Sequence, residues 1–395
     1  MASMNLPLSK PEITPEDIAA VSATLKSGKL TQGPQTAALE EMVAAYVGAK
    51  FAVATNSHAT AMHAALLAAN IGTPDSSNEA SAKPDDGAQT EVVTGACAFV
   101  AAANANEQIG AKPVFADIDP ISLNVDTHKV VGALNEHSRA VLIPHTFGLS
   151  AESARLCGEA EEYGLIALED ASQALGAAVG GERVGACKRS LAAVFSFYPG
   201  CPVTTGEGGM VVTNDETFAN TCRSLVNLGR EIGAPAGGGR GAGWLEHPRV
   251  GFNYRMDEMS AALGVSQLAR IDETLARRQK IADHYRGRLR ELKSKFILPM
   301  EISGYTRAWS TFNLICREGM QREKVIAALA VKGIACERYF DPPLHLQKFY
   351  REKYGFARGA LPITEGIAAQ IFALPFFTSM NASEVDYVCD ALAAT

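Results

Sequence analysis

Two segments of the sequence place reactive side chains at the ends of apolar runs. Residues 165–171 read Leu-Ile-Ala-Leu-Glu-Asp-Ala, so Asp170 closes a buried run. A buried carboxylate is costly unless it meets a cation, and the alternative role for Asp170 is to cap a following helix. The run 192–197 is followed closely by Cys201. A thiol at this position could act as a nucleophile or, once ionised, as a base.

The elements that must position these residues follow an α/β pattern. Short apolar runs alternate with helical stretches over residues 91–96, 113–119, 140–145, 165–171, 192–197 and 209–214. The alternation predicts a central, mostly parallel sheet, whose ligands bind beyond the carboxyl ends of the strands. A helix predicted over 59–69 would direct its positive N-terminus toward an anion near Ser57, His58 and Ala59.

The chain is long enough for two domains. It has 395 residues, 47% of them hydrophobic, and a single core stops growing below this size. Near residue 270 the sequence pattern changes: residues 271–293 are rich in charged side chains and predict a long helix, which is followed by shorter elements. We therefore predict a large domain over 4–268 and a smaller C-terminal α/β domain over 269–395.

Composition argues against several classes of partner. The formal net charge is −7, so the protein should repel nucleic acids and anionic lipids. No apolar run approaches the roughly 20 residues of a membrane span, and we expect a cytoplasmic protein. The eight cysteines lack metal-ligand spacing, which predicts reduced thiols and no metal site.

Two segments are rich in residues that favour loops. The segment 73–90 precedes a strand and should lie away from any site at the sheet's carboxyl edge. The segment 232–243 contains a glycine-rich stretch and could be either a flap over the site or a plain linker.

The segment from Phe195 to Gly209 reads FSFYPGCPVTTGEGG. It resembles the SFYPGK and TTGEGG signature of the DegT/DnrJ/EryC1/StrS family, which are PLP-dependent sugar aminotransferases of the aspartate-aminotransferase fold (fold type I). The resemblance extends over nearly the whole chain, with further matching segments at 7–11, 27–34, 113–117, 169–174, 251–256 and 338–345.

This resemblance implies a PLP or PMP site. Asp170 would pair with the pyridine nitrogen, Gln173 would lie near the ring hydroxyl, and Phe99 would stack on the ring. The phosphate would be bound by Ser196 and by the helix start at Ser57 and Ala59. Asn253 would reach across from a neighbouring subunit, so the resemblance implies a homodimer with shared sites. The residues that would line the keto-sugar side are Thr31, Arg255, Arg338, Tyr339 and His345.

The sequence departs from the family at three positions. Cys201 stands where the family has its Schiff-base lysine, His58-Ala59 replaces the Gly-Thr of the phosphate loop, and Gly95 replaces a proline. A thiol cannot form an imine, so ordinary transamination should be crippled and the cofactor would be bound non-covalently. Lys188 precedes the strand at 192–197, so it should lie near the opposite edge of the sheet.

The roles of the two substituted residues stay open in the sequence. His58 could donate to phosphate, replace the lost base or cap the helix. Cys201 could be a base, a nucleophile or an inert thiol, and a cationic cofactor or a helix N-terminus would lower its pKa.

Three functions are therefore compatible with the sequence. The first is a lysine-less enzyme of non-transaminating chemistry, such as PMP-dependent dehydration of a keto-sugar, as in the family's sugar 3-dehydratase branch. The second is a sugar aminotransferase whose lysine was mutated to cysteine. The third is a non-catalytic paralogue that completes the site of an active partner.

Overall fold

The computed structural model describes residues 5–72, 89–230 and 246–395. The loop-rich segments predicted at 73–90 and 232–243 lie outside these ranges, apart from Gln89 and Thr90. The helices are α1 Pro15–Ser27, α2 Pro34–Val47, α3 His58–Ala68, α4 Val100–Gln108, α5 Thr127–Ala133, α6 Ser153–Glu162, α7 Glu216–Val226, α8 Glu258–Leu268, α9 Ile271–Arg288, α10 Arg322–Val331, α11 Lys348–Tyr354, α12 Pro362–Gln370 and α13 Ala382–Ala393. The strands are β1 Phe51–Thr55, β2 Glu91–Gly95, β3 Lys112–Ala116, β4 Ser138–Pro144, β5 Ile166–Asp170, β6 Ala178–Val179, β7 Glu182–Arg183, β8 Ala192–Ser196, β9 Gly209–Thr213, β10 Phe296–Ile297, β11 Tyr305–Thr306, β12 Phe312–Cys316 and β13 Ile371–Leu374.

A seven-stranded sheet forms the centre of the large domain, in the order β1-β9-β8-β5-β4-β2-β3. Strand β9 runs antiparallel to both of its neighbours, and the other neighbouring pairs are parallel. Each of the six apolar runs forms one of these strands, so the predicted mostly parallel sheet is confirmed.

Helices cover both faces of this sheet. Successive residues of a strand point to opposite faces, and β8 shows the consequence. Val194 belongs to the core that includes Met62 of α3, whereas Phe195 belongs to the core that includes Leu39 of α2. The sheet is therefore a buried middle layer, and its strands read as continuous apolar runs because neither face meets water.

The smaller domain is built on a three-stranded sheet of β10, β12 and β13. Its core includes Tyr285 of α9 and Phe312 of β12. The predicted charged helix over 271–293 is α9, which ends at Arg288 and continues as a 3-10 turn, Leu289–Leu292. Leu6 also packs in this core, and its N–H donates to Gly333 O at 2.8 Å. Leu6 therefore packs with the C-terminal part of the chain, although the predicted boundary places residues 4–268 in the large domain.

A third, small sheet connects the two domains. Strand β11 of the C-terminal part pairs with β6, with Tyr305 opposite Val179. None of the helices in the described ranges is long and apolar enough to cross a membrane.

Candidate active site

The carboxyl ends of the central strands meet at one edge of the sheet. Asp170 closes β5 and pairs in register with Pro144, the last residue of β4. Ser196 closes β8 and lies opposite Gly209, which in turn lies opposite Thr55 at the end of β1. The carboxyl ends of parallel strands lie at the same edge of a sheet. Here they form one polar edge together with the first residue of the antiparallel strand β9.

Helix α3 begins at this edge. Ser57 is its N-cap and accepts a hydrogen bond from Thr60 N at 3.2 Å. Ser57 rather than His58 is therefore the cap, which corrects one of the roles considered for His58. The first N–H groups of a helix have no intrahelical acceptor, so the N–H groups of His58 and Ala59 remain available to an anion. The helix start can approach β9 closely because residue 209 is glycine: a Cβ there would collide with the carbonyl group of Ser57.

Asp170 is buried, with 3% of its surface exposed. Its Oδ1 accepts two hydrogen bonds, from His58 Nε2 at 3.0 Å and from Ser172 N at 3.1 Å. Burial by itself would raise the pKa of Asp170, but the charge and hydrogen bond of His58 and the bonds from Ser172 lower it overall. The carboxyl group is thus held ionised, with the contacts from His58 Nε2 and Ser172 N both on Oδ1.

Gln173 and Phe99 are two further residues predicted to contact the cofactor. Gln173 Oε1 accepts a hydrogen bond from Phe147 N at 2.6 Å, which fixes the side-chain amide and leaves its N–H groups for another acceptor. Phe99 immediately precedes α4 and is 57% exposed. An aromatic ring exposed to this extent at the edge of a buried sheet has a face available for stacking.

Cys201 lies on the other side of Ser172 from Asp170. Its Sγ contacts Ser172 O at 3.6 Å, while Ser172 N donates to Asp170. Burial of the sulfur raises the pKa of the Cys201 thiol to about 11, and Ser196 and the charge of Arg278 offset this only in part. Without a cofactor, the low-polarity surroundings of the thiol outweigh the nearby cation; the lowering of its pKa by a cationic cofactor stays a prediction.

Arg278 is a residue that the sequence did not single out. Its guanidinium is buried and donates to Trp309 O at 2.8 Å, Ser310 O at 2.9 Å and Thr378 Oγ1 at 3.2 Å. None of these acceptors is a carboxylate, so the cation is balanced by dipoles only, and burial lowers its pKa to about 10. It lies in the charged stretch of α9, where the sequence gives no sign that one arginine turns inward.

Tyr339, a residue predicted for the sugar side, packs its ring near Phe147 and Phe340. Burial raises its pKa, and the charge of Glu337, followed by those of Tyr198 and Cys201, acts in the same direction.

Arg255 and Asn253 both contact Asn227, whereas Thr31 pairs with another residue of the same segment. Arg255 Nη1 donates to Asn227 Oδ1 at 3.0 Å, and the backbones of Asn253 and Asn227 form an isolated bridge. Thr31 pairs with Asp257 in a second bridge. Asn56 N donates to Tyr254 O at 2.8 Å, which links this group to the start of α3.

The remaining candidates lie elsewhere. Arg338 is exposed and forms an ion pair with Glu323. His345 has no exposed surface: its Nε2 contacts Glu365 Oε1 at 3.1 Å, and its Nδ1 is buried without a hydrogen-bond partner among the described residues. Lys188 pairs with Glu182 at 2.5 Å rather than with any candidate site residue. Within the described ranges, no group of three or more His, Cys, Asp or Glu side chains is placed to hold a metal ion.

The mostly parallel sheet with a buried aspartate at the end of a central strand defines a protein of the aspartate-aminotransferase-like fold, fold type I, and similarity to solved aminotransferases confirms this class. The chain belongs to the DegT/DnrJ/EryC1/StrS aminotransferase family, whose model matches residues 11–393.

Individual relatives match over most of their length. The chain is 33% identical over 392 residues to the spore coat polysaccharide biosynthesis protein SpsC of Bacillus subtilis, covering 98% of this chain and 96% of SpsC. It is 30% identical to DesV of S. venezuelae, solved in complex with a ketimine intermediate, with a TM-score of 0.84 and coverage of 96% and 94%. It is 26% identical to PseC of Helicobacter pylori, an aminotransferase involved in the biosynthesis of pseudoaminic acid, with a TM-score of 0.88 and coverage of 99% of both chains.

Proposed function

We propose that this chain binds PMP or PLP without a covalent bond and uses it on a nucleotide-linked keto-sugar. The reaction is other than ordinary transamination, such as removal of a hydroxyl group. Family membership supports an enzyme of sugar metabolism. The relative DesI, 29% identical with a TM-score of 0.85, was solved in the presence of its TDP-sugar product, which supports a nucleotide-linked substrate.

The observation that carries the proposal is the state of Asp170. Its carboxyl group is buried and held ionised, and it is bound at Oδ1 by His58 and Ser172. A buried carboxylate in this state can also pair with a protonated pyridine nitrogen, which is a cation. The ring would then stack on Phe99, with its hydroxyl group toward Gln173.

The phosphate end of the cofactor fits the start of α3. The N–H groups of His58 and Ala59 and the hydroxyl groups of Ser57 and Ser196 offer donors to a dianion at the positive end of a helix. Asn253 is exposed in the protomer, which leaves it accessible to a neighbouring subunit. We therefore include a homodimer with shared sites in the proposal.

When bound, the cofactor supplies an electron sink joined to the substrate carbon. The chain then has to orient the ring, exclude water and move protons. Cys201 takes the place that the resemblance assigns to the family's lysine, and a thiol cannot form the imine that anchors the cofactor. With a pKa raised to about 11, Cys201 can act as a base only if the bound cofactor or substrate lowers that pKa.

Four residues would bind the substrate in this proposal. Arg255 and Thr31 belong to the large domain, and Tyr339 and Arg338 belong to the smaller one. A guanidinium group binds a diphosphate through two parallel hydrogen bonds, so Arg255 is suited to the nucleotide end. Arg338 would have to leave its ion pair with Glu323 to do the same.

The first experiment asks how the cofactor is held. Purified protein is loaded with PLP or PMP, freed of excess by gel filtration, and treated with borohydride before peptide mass spectrometry. We expect stoichiometric ring absorbance and no pyridoxyl group on any lysine. A pyridoxyl group on Lys10, which lines a small cavity together with Cys201, or on Lys188 would contradict non-covalent binding. A protein that takes up neither form would instead favour the non-catalytic paralogue.

The second experiment asks which reaction follows. Wild type, Cys201→Ser and Cys201→Lys are each incubated with a nucleotide-linked keto-sugar, PMP and glutamate, and the products are weighed by mass spectrometry. We expect wild type to release a keto-sugar in which one hydroxyl group has been replaced by hydrogen, so that it is lighter by one oxygen atom, while PMP is converted to PLP and its nitrogen leaves as ammonia. Cys201→Ser should lose most of this activity. If wild type gives no such product while Cys201→Lys transfers an amino group from glutamate, the chain is an aminotransferase with a substituted lysine.

A further inference from the structure

His58 makes an unexpected contact with the one carboxylate on which the site depends. Its Nε2 lies 3.0 Å from Asp170 Oδ1, and the two residues are separated by 112 positions in the sequence. His58 is 7% exposed and Asp170 is 3% exposed. A carboxylate only accepts hydrogen bonds, so Nε2 carries the proton and donates, whether the imidazole is neutral or charged.

The imidazole is committed to the carboxylate. His58 is almost completely covered, whereas Phe99, which we propose to stack on the cofactor ring, is 57% exposed. The Nε2 of His58 is engaged by Asp170 Oδ1, so it is not the donor that meets the phosphate.

The backbone fixes this arrangement. His58 is the first residue of α3, whose start is held by the Ser57 cap and by close packing against Gly209. Ser172 N donates to the same Oδ1 at 3.1 Å, so two donors on different elements hold one oxygen of Asp170. Both of these contacts are on Oδ1 rather than on Oδ2.

We propose that His58 is a positioning residue that holds Asp170 by Oδ1 so that Oδ2 faces the ring nitrogen of the bound cofactor. This inference rests on the proposed function. Histidines that act behind a ligand-binding group are common in metal sites, where such partners fix the orientation of the ligand. Here the supported group is a carboxylate that must stay ionised in a buried setting.

The contact matters more in this chain than it would in a protein with a Schiff-base lysine. Without a covalent anchor, retention of the cofactor rests entirely on non-covalent contacts, and the ring nitrogen has a single buried anion to meet. Loss of a hydrogen bond to a charged group commonly weakens an interaction by about 10- to 100-fold. We expect a change of this order in the affinity for PMP.

The test compares three variants with wild type. His58→Leu removes the donor and keeps the volume, and His58→Gln keeps an N–H donor of similar reach. His63→Gln is the matched control: His63 is on the same helix and equally buried, but its Nδ1 contacts Tyr254 OH at 3.0 Å rather than a site residue. Circular dichroism first confirms that each variant is folded.

Affinity for PMP is measured by isothermal titration calorimetry, and the state of the ring nitrogen by NMR of PMP labelled with ¹⁵N at that atom. We expect the dissociation constant to rise about 10- to 100-fold in His58→Leu, with a smaller fraction of protonated ring nitrogen. His58→Gln should recover most of the affinity and the protonated signal, and His63→Gln should match wild type.

The outcomes separate the two proposals. If wild type binds PMP and His58→Leu binds it equally well with the same nitrogen signal, His58 has no positioning role although the proposed function stands. If His58→Leu and His63→Gln lose affinity to the same extent, the effect comes from the helix and the inference is wrong. If wild type binds neither PMP nor PLP, the proposed function fails and the inference fails with it.

Discussion

Alkylation of Cys201 should be unusually slow at neutral pH. The thiol pKa is raised to about 11 by burial. A free cysteine has a pKa of about 8.5, so at about pH 7.5 its thiolate fraction is about 9% against about 0.03% for Cys201. Because only the thiolate reacts, iodoacetamide should modify Cys201 about 300-fold more slowly than an unstructured cysteine.

The assay follows the rate as a function of pH rather than at one pH. Native protein without cofactor is pulsed with iodoacetamide between about pH 7 and 9.5, quenched, digested, and the Cys201 peptide is quantified by mass spectrometry. Restricted access lowers the rate equally at every pH, whereas a raised pKa moves the bend of the profile. We expect a tenfold rise per pH unit throughout this range, because the thiol is still mostly protonated at its upper end.

The same peptide in urea-unfolded protein is the reference, and its profile should bend near about pH 8.5. Cys336 is a second partly exposed cysteine whose pKa is raised to about 12 by burial, so it should react no faster than Cys201 in the same spectra. A native Cys201 profile that bends at or below the bend of the unfolded peptide would refute the reasoning and would make the thiol a ready base without cofactor.

Two further perturbations test other contacts. Asp17 forms a bidentate pair with Arg270, which lowers the pKa of Asp17 to about 2 although burial acts to raise it. The stabilisation by ionised Asp17 is therefore complete above about pH 4 and is lost as the pH falls through about 2. Asp17→Asn should lower the free energy of unfolding by about 2–3 kcal/mol at neutral pH and by about half as much at about pH 3. Urea titrations at both pH values measure this, and a gap that does not shrink at pH 3 would contradict it. Gly209→Ala should push Ser57 away from β9 and weaken PMP binding by at least about tenfold in calorimetry, since a Cβ at 209 would meet backbone. Gly287→Ala, with no atom within 4 Å of the added carbon, is its control, and equal affinities would show that the close approach is not needed.

That Asp170 and Ser196 lie at one edge of the sheet could be predicted because it depends on local sequence pattern. Asp170 and Ser196 each end a short apolar run, and parallel strands bring such ends to one edge whatever their order in the sheet. The start of α3 was predicted within one residue, since a polar cap after a strand marks a helix N-terminus in the sequence itself. The sequence motif around Cys201 predicted the family, and the match of the family model over residues 11–393 confirms that prediction.

The environment of each side chain could not be predicted in the same way. His345 belongs to a segment that resembles the sugar side of the family, yet it is fully buried against Glu365 of α12. Leu6 lies in the core of the smaller domain although the chain enters that domain again only at α9. Both placements depend on how distant segments of the chain pack together. The periodicity of hydrophobic residues within one segment does not indicate which other segment it will pack against.

The sequence alone therefore determined the fold class, the edge that carries the site and the identity of its acidic and thiol groups, because strand and helix patterns repeat over a few residues. Only the tertiary structure decided which groups face each other. The imidazole bonded to Asp170 comes from 112 positions away, and the guanidinium near Cys201 comes from the buried arginine of a charged helix. These long-range neighbours act on the charge of the carboxyl group and of the thiol together with local donors such as Ser172, since the free energy of a buried ionisable group depends on all the dipoles and charges around it.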